Sequence, residues 1–243
     1  MENYSVALVA ISYVMSVIGS LMALITVRAA LQRSSGNING LLALAAVCLG
    51  GVGIWSMHFI GMLALEMNDM PMNFNWGLTA LSFVAGVAGV YVGLITMSSG
   101  EMKVLKLIIA GLLVGTGVVA MHYTGMLAMQ MQADIQWNWT IIAVSAVIAV
   151  VASIVALWLA VNVKKMWQMI VSALVMGVAV CGMHYTGMAA ASFVPNSALQ
   201  YVEPMTASIA FFTVTIATID VVIVLVTMVV AMLEANKRSF TTA

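Results

Sequence analysis

Seven long apolar runs, separated by short polar segments, constrain the fold of this chain more than any other feature. A bilayer core about 30 Å thick needs roughly 20 apolar residues for each crossing helix, and every run reaches that length. Of the 243 residues, 64% are hydrophobic and only eight are basic and eight acidic, and the mean hydropathy is +1.13. A soluble domain could not bury so much apolar surface, and the alternation of barrel strands is absent. The sequence therefore predicts an all-α integral membrane bundle.

The charged residues predict the orientation of the bundle. The predicted helices span residues 4–28, 39–65, 76–97, 104–129, 139–162, 167–191 and 207–233. All eight Lys and Arg residues follow odd-numbered helices, which by the positive-inside rule places the N-terminus outside and the C-terminus inside. Residues 234–243 are then a cytoplasmic tail. The first run lacks a basic start and a cleavage site of small residues, so we interpret it as a retained helix.

Three copies of one six-residue pattern contain all three histidines of the chain. The copies are 57–62, which reads Met-His-Phe-Ile-Gly-Met, and 121–126 and 183–188, which both read Met-His-Tyr-Thr-Gly-Met. In a helix, His and the Met four residues later lie on one face about one turn apart, so an imidazole and a thioether can point at a common centre. Each copy lies in the last third of an even-numbered helix, which predicts a similar depth near the outer face.

The spacing of the motifs indicates a larger repeat. His58 and His122 are 64 residues apart and His122 and His184 are 62 apart, and each interval holds one helix hairpin. We therefore predict three two-helix units at about 4–65, 76–129 and 139–191, with the helix at 207–233 outside the pattern. A glycine seven residues before each His allows close helix packing in lipid. Repeats arranged about an axis normal to the membrane would bring three equivalent His/Met faces together.

This arrangement predicts a metal site with nitrogen and sulfur ligands. Imidazole suits Zn, Cu, Fe and Ni, whereas thioether sulfur favours Cu(I), so copper fits both ligand types. The Met that precedes each His points about 100° away from it and is the weaker candidate. The predicted ligands are His58, His122 and His184 with Met62, Met126 and Met188, and then Met57, Met121 and Met183. The alternative is that the histidines are buried and hydrogen-bonded to neighbours, with Met as gap filler, although ionisable residues inside membranes are usually functional.

The residues between His and Met in each motif have expected supporting roles. We expect Gly61, Gly125 and Gly187 to serve close packing rather than helix distortion. Tyr123 and Tyr185 have hydroxyls that could act as donors around the site. The first copy has Phe59 at that position and lacks the hydroxyl.

Other polar residues near the motifs suggest further roles. Glu66, eight residues past His58, is expected on the same helix face, as a gate, an outer ligand or a solvated acid. The Met-rich and acidic segment 66–72 would either capture copper at the surface or simply lie at the interface. Asp220 is the only acid deep in an apolar run, and we expect it about 10 Å deeper than the histidines. There it would be protonated, bonded to a hydroxyl such as that of Thr215 or Thr218, or facing the polar interior. The thiol of Cys181 is not expected to be a ligand.

The three motifs on alternate helices resemble the MHYT domain, a bacterial seven-helix membrane sensor family, over essentially the whole chain. The second and third copies match Met-His-Tyr-Thr to the letter, while the first reads Met-His-Phe-Ile. The resemblance implies Cu(I)/Cu(II) bound near the periplasmic face of the bacterial cytoplasmic membrane, and sensing of O2, CO or NO. It also implies signal transduction to a cytoplasmic diguanylate cyclase or phosphodiesterase, either after residue 243 in a longer chain or as a separate partner.

Three functions are consistent with a copper site in such a bundle. The first is a sensor of a diatomic gas or of redox state. The second is a copper transport or acquisition protein, suggested by the Met-rich outer segment. The third is a membrane-bound metal oxidoreductase that uses copper or haem. The chain has no visible nucleophile–base pair or nucleotide loop, so we expect it not to be an enzyme, and nothing indicates a nucleic-acid partner.

Overall fold

The computed structural model describes residues 3–32, 38–66, 72–100, 103–196 and 206–241. Within these ranges, seven helices are long and apolar enough to cross a membrane, which confirms the predicted seven-helix fold. Both ends of each of the first six helices lie within three residues of the predicted bounds, and the seventh remains helical up to Thr241. They are α1 (Val6–Leu31), α2 (Asn39–Leu63), α3 (Trp76–Ser98), α4 (Val104–Leu127), α5 (Trp139–Asn162), α6 (Met166–Met188) and α7 (Ile209–Thr241).

Short antiparallel strands tie together the two ends of each helix pair. Sequence reasoning predicted only connections here. The strands are β1 (Asn3–Tyr4), β2 (Leu65–Glu66), β3 (Asn73–Asn75), β4 (Met129–Gln130), β5 (Ala133–Trp137), β6 (Ala191–Pro195) and β7 (Thr206–Ser208). β1 pairs with β2, β3 with β4, and β5 with β6, while β7 adds to the other edge of β3.

The same backbone hydrogen bond closes each pair at the outer end of its motif helix. The amides of Ser5, Asn75 and Asn138 each donate over 2.8 Å to the carbonyl six residues after a motif histidine, in Ala64, Ala128 and Ala190 respectively. The carbonyls at a helix end have no partner within the helix, so an amide from the paired strand satisfies one of them. The three outer ends are therefore built alike.

The first six helices form a ring, and the motif segments of three of them meet at its centre. Each helix from α1 to α6 packs against its neighbours in sequence, and α6 returns to α1 and closes the ring. The motif segments of α2, α4 and α6 contact one another. α7 lies outside the ring against α1 and α2. The threefold pattern predicted from the spacing of the motifs is thus present, with α7 as its one exception.

The glycines seven residues before each His do not lie between motif helices. Each of them faces the odd-numbered helix that follows its own helix around the ring. A Cβ built on Gly51 would lie 3.1 Å from the Phe83 ring, one on Gly115 2.8 Å from Val150 Cα, and one on Gly177 2.8 Å from Val17 Cγ2. These glycines therefore allow close approach, as expected for small residues in lipid, between each motif helix and the odd-numbered helix next to it in the ring.

α2 differs from the other two motif helices in its backbone. Its central part, Val47–Ser56, is a π-helix, whereas α4 and α6 are α-helical throughout. In the apolar stretch of α2, 78% of the residues are buried, compared with 33% in α4 and in α6. The difference arises because α7 covers the outer side of α2. π-helical segments are rare and frequently occur at functional sites.

Candidate metal centre

The structure brings the three predicted histidines together at the centre of the ring. The Nδ1 atom of His58 lies 3.1 Å from Nδ1 of His184 and 3.1 Å from Nδ1 of His122. The ligand atoms of all three lie within 4.8 Å of one another. His58 and His122 are fully buried and His184 is 1% exposed. Three nitrogen atoms therefore face one small volume that is closed to solvent.

The opposite edge of each imidazole packs against the glycine of another motif. Nε2 of His58 lies against Gly125, Nε2 of His122 against Gly187, and Nε2 of His184 against Gly61, so the contacts run in one sense around the axis. A Cβ on any of these glycines would overlap the ring. None of the three Nε2 atoms has a hydrogen-bond partner within the described ranges. The packing role expected for the glycines is confirmed, and their partner is an imidazole.

An aromatic ring follows each histidine and packs against it edge to face. The ring centroids of His58 and Phe59 are 4.9 Å apart, and those of the His-Tyr pairs at 122–123 and 184–185 are both 4.7 Å apart. The tyrosine hydroxyls, however, do not donate to the histidines. They bind serines of the neighbouring odd-numbered helices, so the expectation that they serve as donors around the site was wrong.

These serines are a part of the site region that sequence reasoning missed. Ser12, Ser82 and Ser145 each donate to the carbonyl three residues earlier in their own helix, which leaves the hydroxyl oxygen free to accept. Tyr185 donates to Ser12 over 3.0 Å and Tyr123 donates to Ser145 over 2.6 Å. The sequence feature that could have indicated them is the presence of a serine in the odd-numbered helix of each of the three repeats.

The motif helix of the first repeat binds the serine of the next repeat from a different position. Phe59 has no hydroxyl, and the indole Nε1 of Trp55 donates to Ser82 over 3.0 Å. Phe59 packs against Trp55, Phe74 and Phe212 and is fully buried. The departure of the first motif from the other two is thus compensated four residues upstream by Trp55.

All six candidate methionines are buried, but their surroundings differ. Met62, Met126 and Met188, four residues after each His, have no exposed surface. Of the weaker candidates, Met121 lies against Gly86 of α3, and Met183 lines a cavity of about 50 Å³ beside Leu49 and Val118. Those two side chains therefore have neighbours other than the imidazoles, as the 100° step between successive residues predicts.

The geometry of the nitrogens fits a small metal ion. Metal–imidazole bonds of about 2.0 to 2.1 Å place the nitrogens of a trigonal or tetrahedral site roughly 3.3 to 3.6 Å apart. The two separations from His58, both 3.1 Å, are a few tenths of an ångström shorter than this range, and the ligand atoms of His122 and His184 lie within 4.8 Å of each other. No other group of three His, Cys, Asp or Glu side chains with this spacing occurs among the described residues.

Asp220 lies closer to the histidines than predicted. Its Oδ1 accepts a hydrogen bond of 2.7 Å from Ser56, only two residues before His58. The hydroxyls of Thr215 and Thr218 instead donate to carbonyls of α7 itself. The expected hydroxyl partner is therefore present, but it belongs to Ser56 rather than to Thr215 or Thr218. The expected depth was wrong because the sequence does not encode how far α7 is shifted along α2.

Other predicted positions are placed away from the cluster. Glu66 is exposed in β2 opposite Asn3, and because α2 ends at Leu63, it does not continue the His58 face, contrary to expectation. Cys181 contacts Ser12 of α1. Most of the Met-rich segment, residues 67–71, lies outside the described residues.

Comparison with known proteins places this architecture among bacterial signalling proteins. The family model MHYT, described as a bacterial signalling protein N terminal repeat, matches residues 51–110 and 115–173. The chain is 39% identical over 202 residues to the bifunctional diguanylate cyclase/cyclic di-GMP phosphodiesterase MucR of Pseudomonas aeruginosa, a match that covers 79% of this chain and 28% of that protein.

Two further relatives are similar over a comparable region. The signaling protein YkoW of Bacillus subtilis is 32% identical over 203 residues, which are 79% of this chain and 24% of that protein. The cyclic di-GMP phosphodiesterase NbdA of Pseudomonas aeruginosa is 31% identical over 153 residues, which are 60% of this chain and 19% of that protein. The chain thus spans about a quarter, or less, of the length of these relatives. No solved structure matches. On its repeats and relatives, this multi-pass membrane chain belongs to the MHYT family of bacterial signalling proteins.

Proposed function

We propose that this chain is a copper-binding sensor domain of the bacterial cytoplasmic membrane, which relays the state of its metal to a cytoplasmic output. The observation that carries the proposal is the convergence of three Nδ1 atoms inside a closed apolar bundle, with His58 Nδ1 lying 3.1 Å from each of the other two. The Nδ1 atoms of His122 and His184 both have Nδ1 of His58 as their hydrogen-bond partner. A metal ion at the centre would use the three facing lone pairs together.

The donor set favours copper over harder ions. Mg²⁺ and Ca²⁺ require oxygen ligands, and the cluster contains imidazole nitrogens and no carboxylate. Met62, Met126 and Met188 are fully buried one helical turn from the three histidines, and thioether sulfur selects Cu(I). We propose the three histidines as ligands and one or more of these methionines as the soft ligand that distinguishes copper from zinc. Met57, Met121 and Met183 remain the weaker candidates.

The buried position of the cluster suits a small signal molecule that reaches it from within the membrane. Bound copper would supply a coordination position for a diatomic gas, O2, CO or NO, and a one-electron redox couple. The surrounding protein excludes water from the site, since the histidines are only 0 to 1% exposed. The cavity of about 50 Å³ lined by Met183 exceeds the roughly 15 Å³ that one water needs, so a diatomic molecule fits inside the bundle, although none of the three histidines lines this cavity.

The output is proposed to be cyclic di-GMP turnover. Two relatives carry diguanylate cyclase or cyclic di-GMP phosphodiesterase in their names, and this chain matches only a minor part of each. α7 is the last element, and the basic residues at 237–238 place its end on the cytoplasmic side. A domain or partner there would receive the signal from α7, while the membrane domain itself would not be the enzyme.

Purified protein in detergent or nanodiscs tests the metal assignment directly. We expect one copper per chain by elemental analysis, lost when His58, His122 and His184 are all replaced by Ala, and a spectral change on exposure to CO or NO. A Soret band, or no metal above the level of the triple variant, would contradict the copper proposal. Copper flux into vesicles that depends on His122 would replace sensing with transport.

A further inference from the structure

α7 contacts the π-helical segment of α2 through two polar pairs, one at each end of the segment. Ser56 donates to Asp220 over 2.7 Å. Cys48 Sγ lies 3.1 Å from Thr227 Oγ1. Because the Thr227 hydroxyl donates to the Ile223 carbonyl, the Cys48 thiol is the donor of this pair. The two pairs bracket almost the whole of Val47–Ser56.

The other two repeats have no such pairs at the equivalent positions. Relative to the motif histidine, Ser56 corresponds to Ala120 and Gly182, and Cys48 corresponds to Leu112 and Leu174. Leu112 is 47% exposed and Leu174 is 42% exposed, so these faces of α4 and α6 meet lipid. At these two positions, a polar side chain therefore occurs only in the repeat against which α7 packs.

The Ser56 bond holds the carboxyl of Asp220 in an apolar surrounding. Asp220 is 3% exposed, and its second oxygen, Oδ2, has no hydrogen-bond partner in the described part of the chain. An acid at this depth is expensive unless it is bonded. Movement of Ser56 therefore either carries Asp220 and α7 with it or leaves the carboxyl without its partner.

The segment between the two pairs is the part of the bundle best suited to change shape. A π-helix bonds i to i+5 instead of i to i+4, so its return to α geometry rotates and shifts the residues at its end relative to those before it. Ser56 is the last π-helical residue, and the α-helical turn with His58 begins at Met57. A displacement of the His58 ring is therefore applied directly to the end of this segment.

We propose that α7 responds to the histidine cluster through the first motif, at His58, with the π-helical segment as the element that switches. Asp220 is a positioning residue in this scheme, linked to His58 by Ser56, and Cys48 and Thr227 anchor the other end. The identity of the metal that acts on His58 rests on the proposed function, whereas the link from His58 to α7 belongs to the chain itself. The two are tested separately.

The first test needs no metal. Because the chain has only three histidines, imidazole nitrogen NMR of the metal-free protein resolves three rings, assigned by single His→Gln variants. We expect Ser56→Ala and Asp220→Leu to move the His58 signals more than those of His122 or His184. The matched control is Ser145→Ala, which removes a serine hydroxyl bonded to the α4 motif through Tyr123 and should move His122 most. Equal shifts of all three rings in Ser56→Ala would overturn the link.

The second test follows α7 when Cu(I), buffered by a competing chelator, is added. Hydrogen exchange of α7 peptides covering 213–234 should change on loading in wild type and in Ser145→Ala. In Ser56→Ala the change should be lost from α7 while it persists in α2. By linkage, the copper dissociation constant of Ser56→Ala should differ from that of wild type by about fivefold or more. A full α7 response in Ser56→Ala refutes the proposal.

The two tests separate failure of the link from failure of copper binding. If copper does not bind but the NMR shifts concentrate on His58, the proposed function fails and the link stands. If copper binds and α7 does not respond in wild type, the link fails and the proposed metal site stands. If the Ser56→Ala protein does not fold, Asp220→Leu takes its place, because it removes the same bond from the α7 side. The α7 response should be lost in Asp220→Leu, and a full response there refutes the proposal.

Discussion

Replacing Gly187 by Ala should disrupt the histidine cluster by steric overlap alone. A Cβ at Gly187 would lie 2.9 Å from Cδ2 and 3.0 Å from Cε1 of His122, and would overlap Nε2. Among the described glycines, only Gly100 has a positive φ, so the backbone at Gly187 accepts Ala without strain. The control is Gly182→Ala on the same helix, where a Cβ would meet nothing within 4 Å.

The distances set the size of the effect. Ordinary carbon contacts are at about 3.5 Å or more, so the His122 ring must move by at least roughly 0.5 Å, towards the other two imidazoles. Metal sites tolerate departures of about 0.2 Å in bond length. Overpacking of this kind costs about 1 to 3 kcal/mol, whereas Gly→Ala in an unhindered helix gains up to about 1 kcal/mol. We expect Gly187→Ala to bind copper about tenfold or more weakly, since 1.4 kcal/mol is a factor of ten.

Both variants are to be measured in the same detergent or nanodisc. Thermal unfolding should give a lower Tm for Gly187→Ala and an unchanged or slightly higher Tm for Gly182→Ala, and competition with a Cu(I) chelator should separate their dissociation constants. If Gly187→Ala binds copper as tightly as Gly182→Ala and unfolds at the same temperature, the close contact between Gly187 and His122 does not exist as described.

Three further predictions follow from the threefold geometry. Single His→Gln variants should lose copper affinity to a similar extent, and retention of wild-type affinity by His122→Gln would contradict a shared site. Tyr123→Phe and Ser145→Ala should each lower the free energy of unfolding by about 1 kcal/mol. Because both variants break the same hydrogen bond, the double variant should lose less than the sum of the two. Additive losses would show that this bond contributes nothing. Phe59→Tyr makes the first motif more like the others, yet it should destabilise the folded protein by about 1 to 3 kcal/mol. The reason is that the added hydroxyl is buried among aromatic rings. A Tm at or above that of wild type would refute this prediction.

The membrane helices and the cluster of imidazoles could be predicted because both depend on local regularities. The runs of apolar residues are set by the thickness of the bilayer, so six of the seven helices end close to their predicted bounds. The three histidines recur with nearly equal spacing on alternate helices, and a threefold repeat has to bring such residues to equivalent places. The ligand role of the methionines and the choice of copper stay predictions.

The serine network and the position of Asp220 could not be predicted in the same way. Ser12, Ser82 and Ser145 lie on helices without a motif, and their importance depends on which helix each one faces. Trp55 replaces the missing tyrosine hydroxyl of the first motif from a different turn. Asp220 was placed too deep because rise per residue locates a side chain along its own helix only.

The sequence by itself determined the seven crossings, the threefold repeat and the shared depth of the three motif histidines, because these follow from hydropathy and helical periodicity. Tertiary structure alone decided that Nδ1 rather than Nε2 faces the centre, that each motif glycine receives an imidazole from another repeat, and that α7 packs on α2 at the π-helical segment. The physical reason is that ring orientation and helix shift depend on contacts between segments more than 60 residues apart, and no local pattern records such contacts.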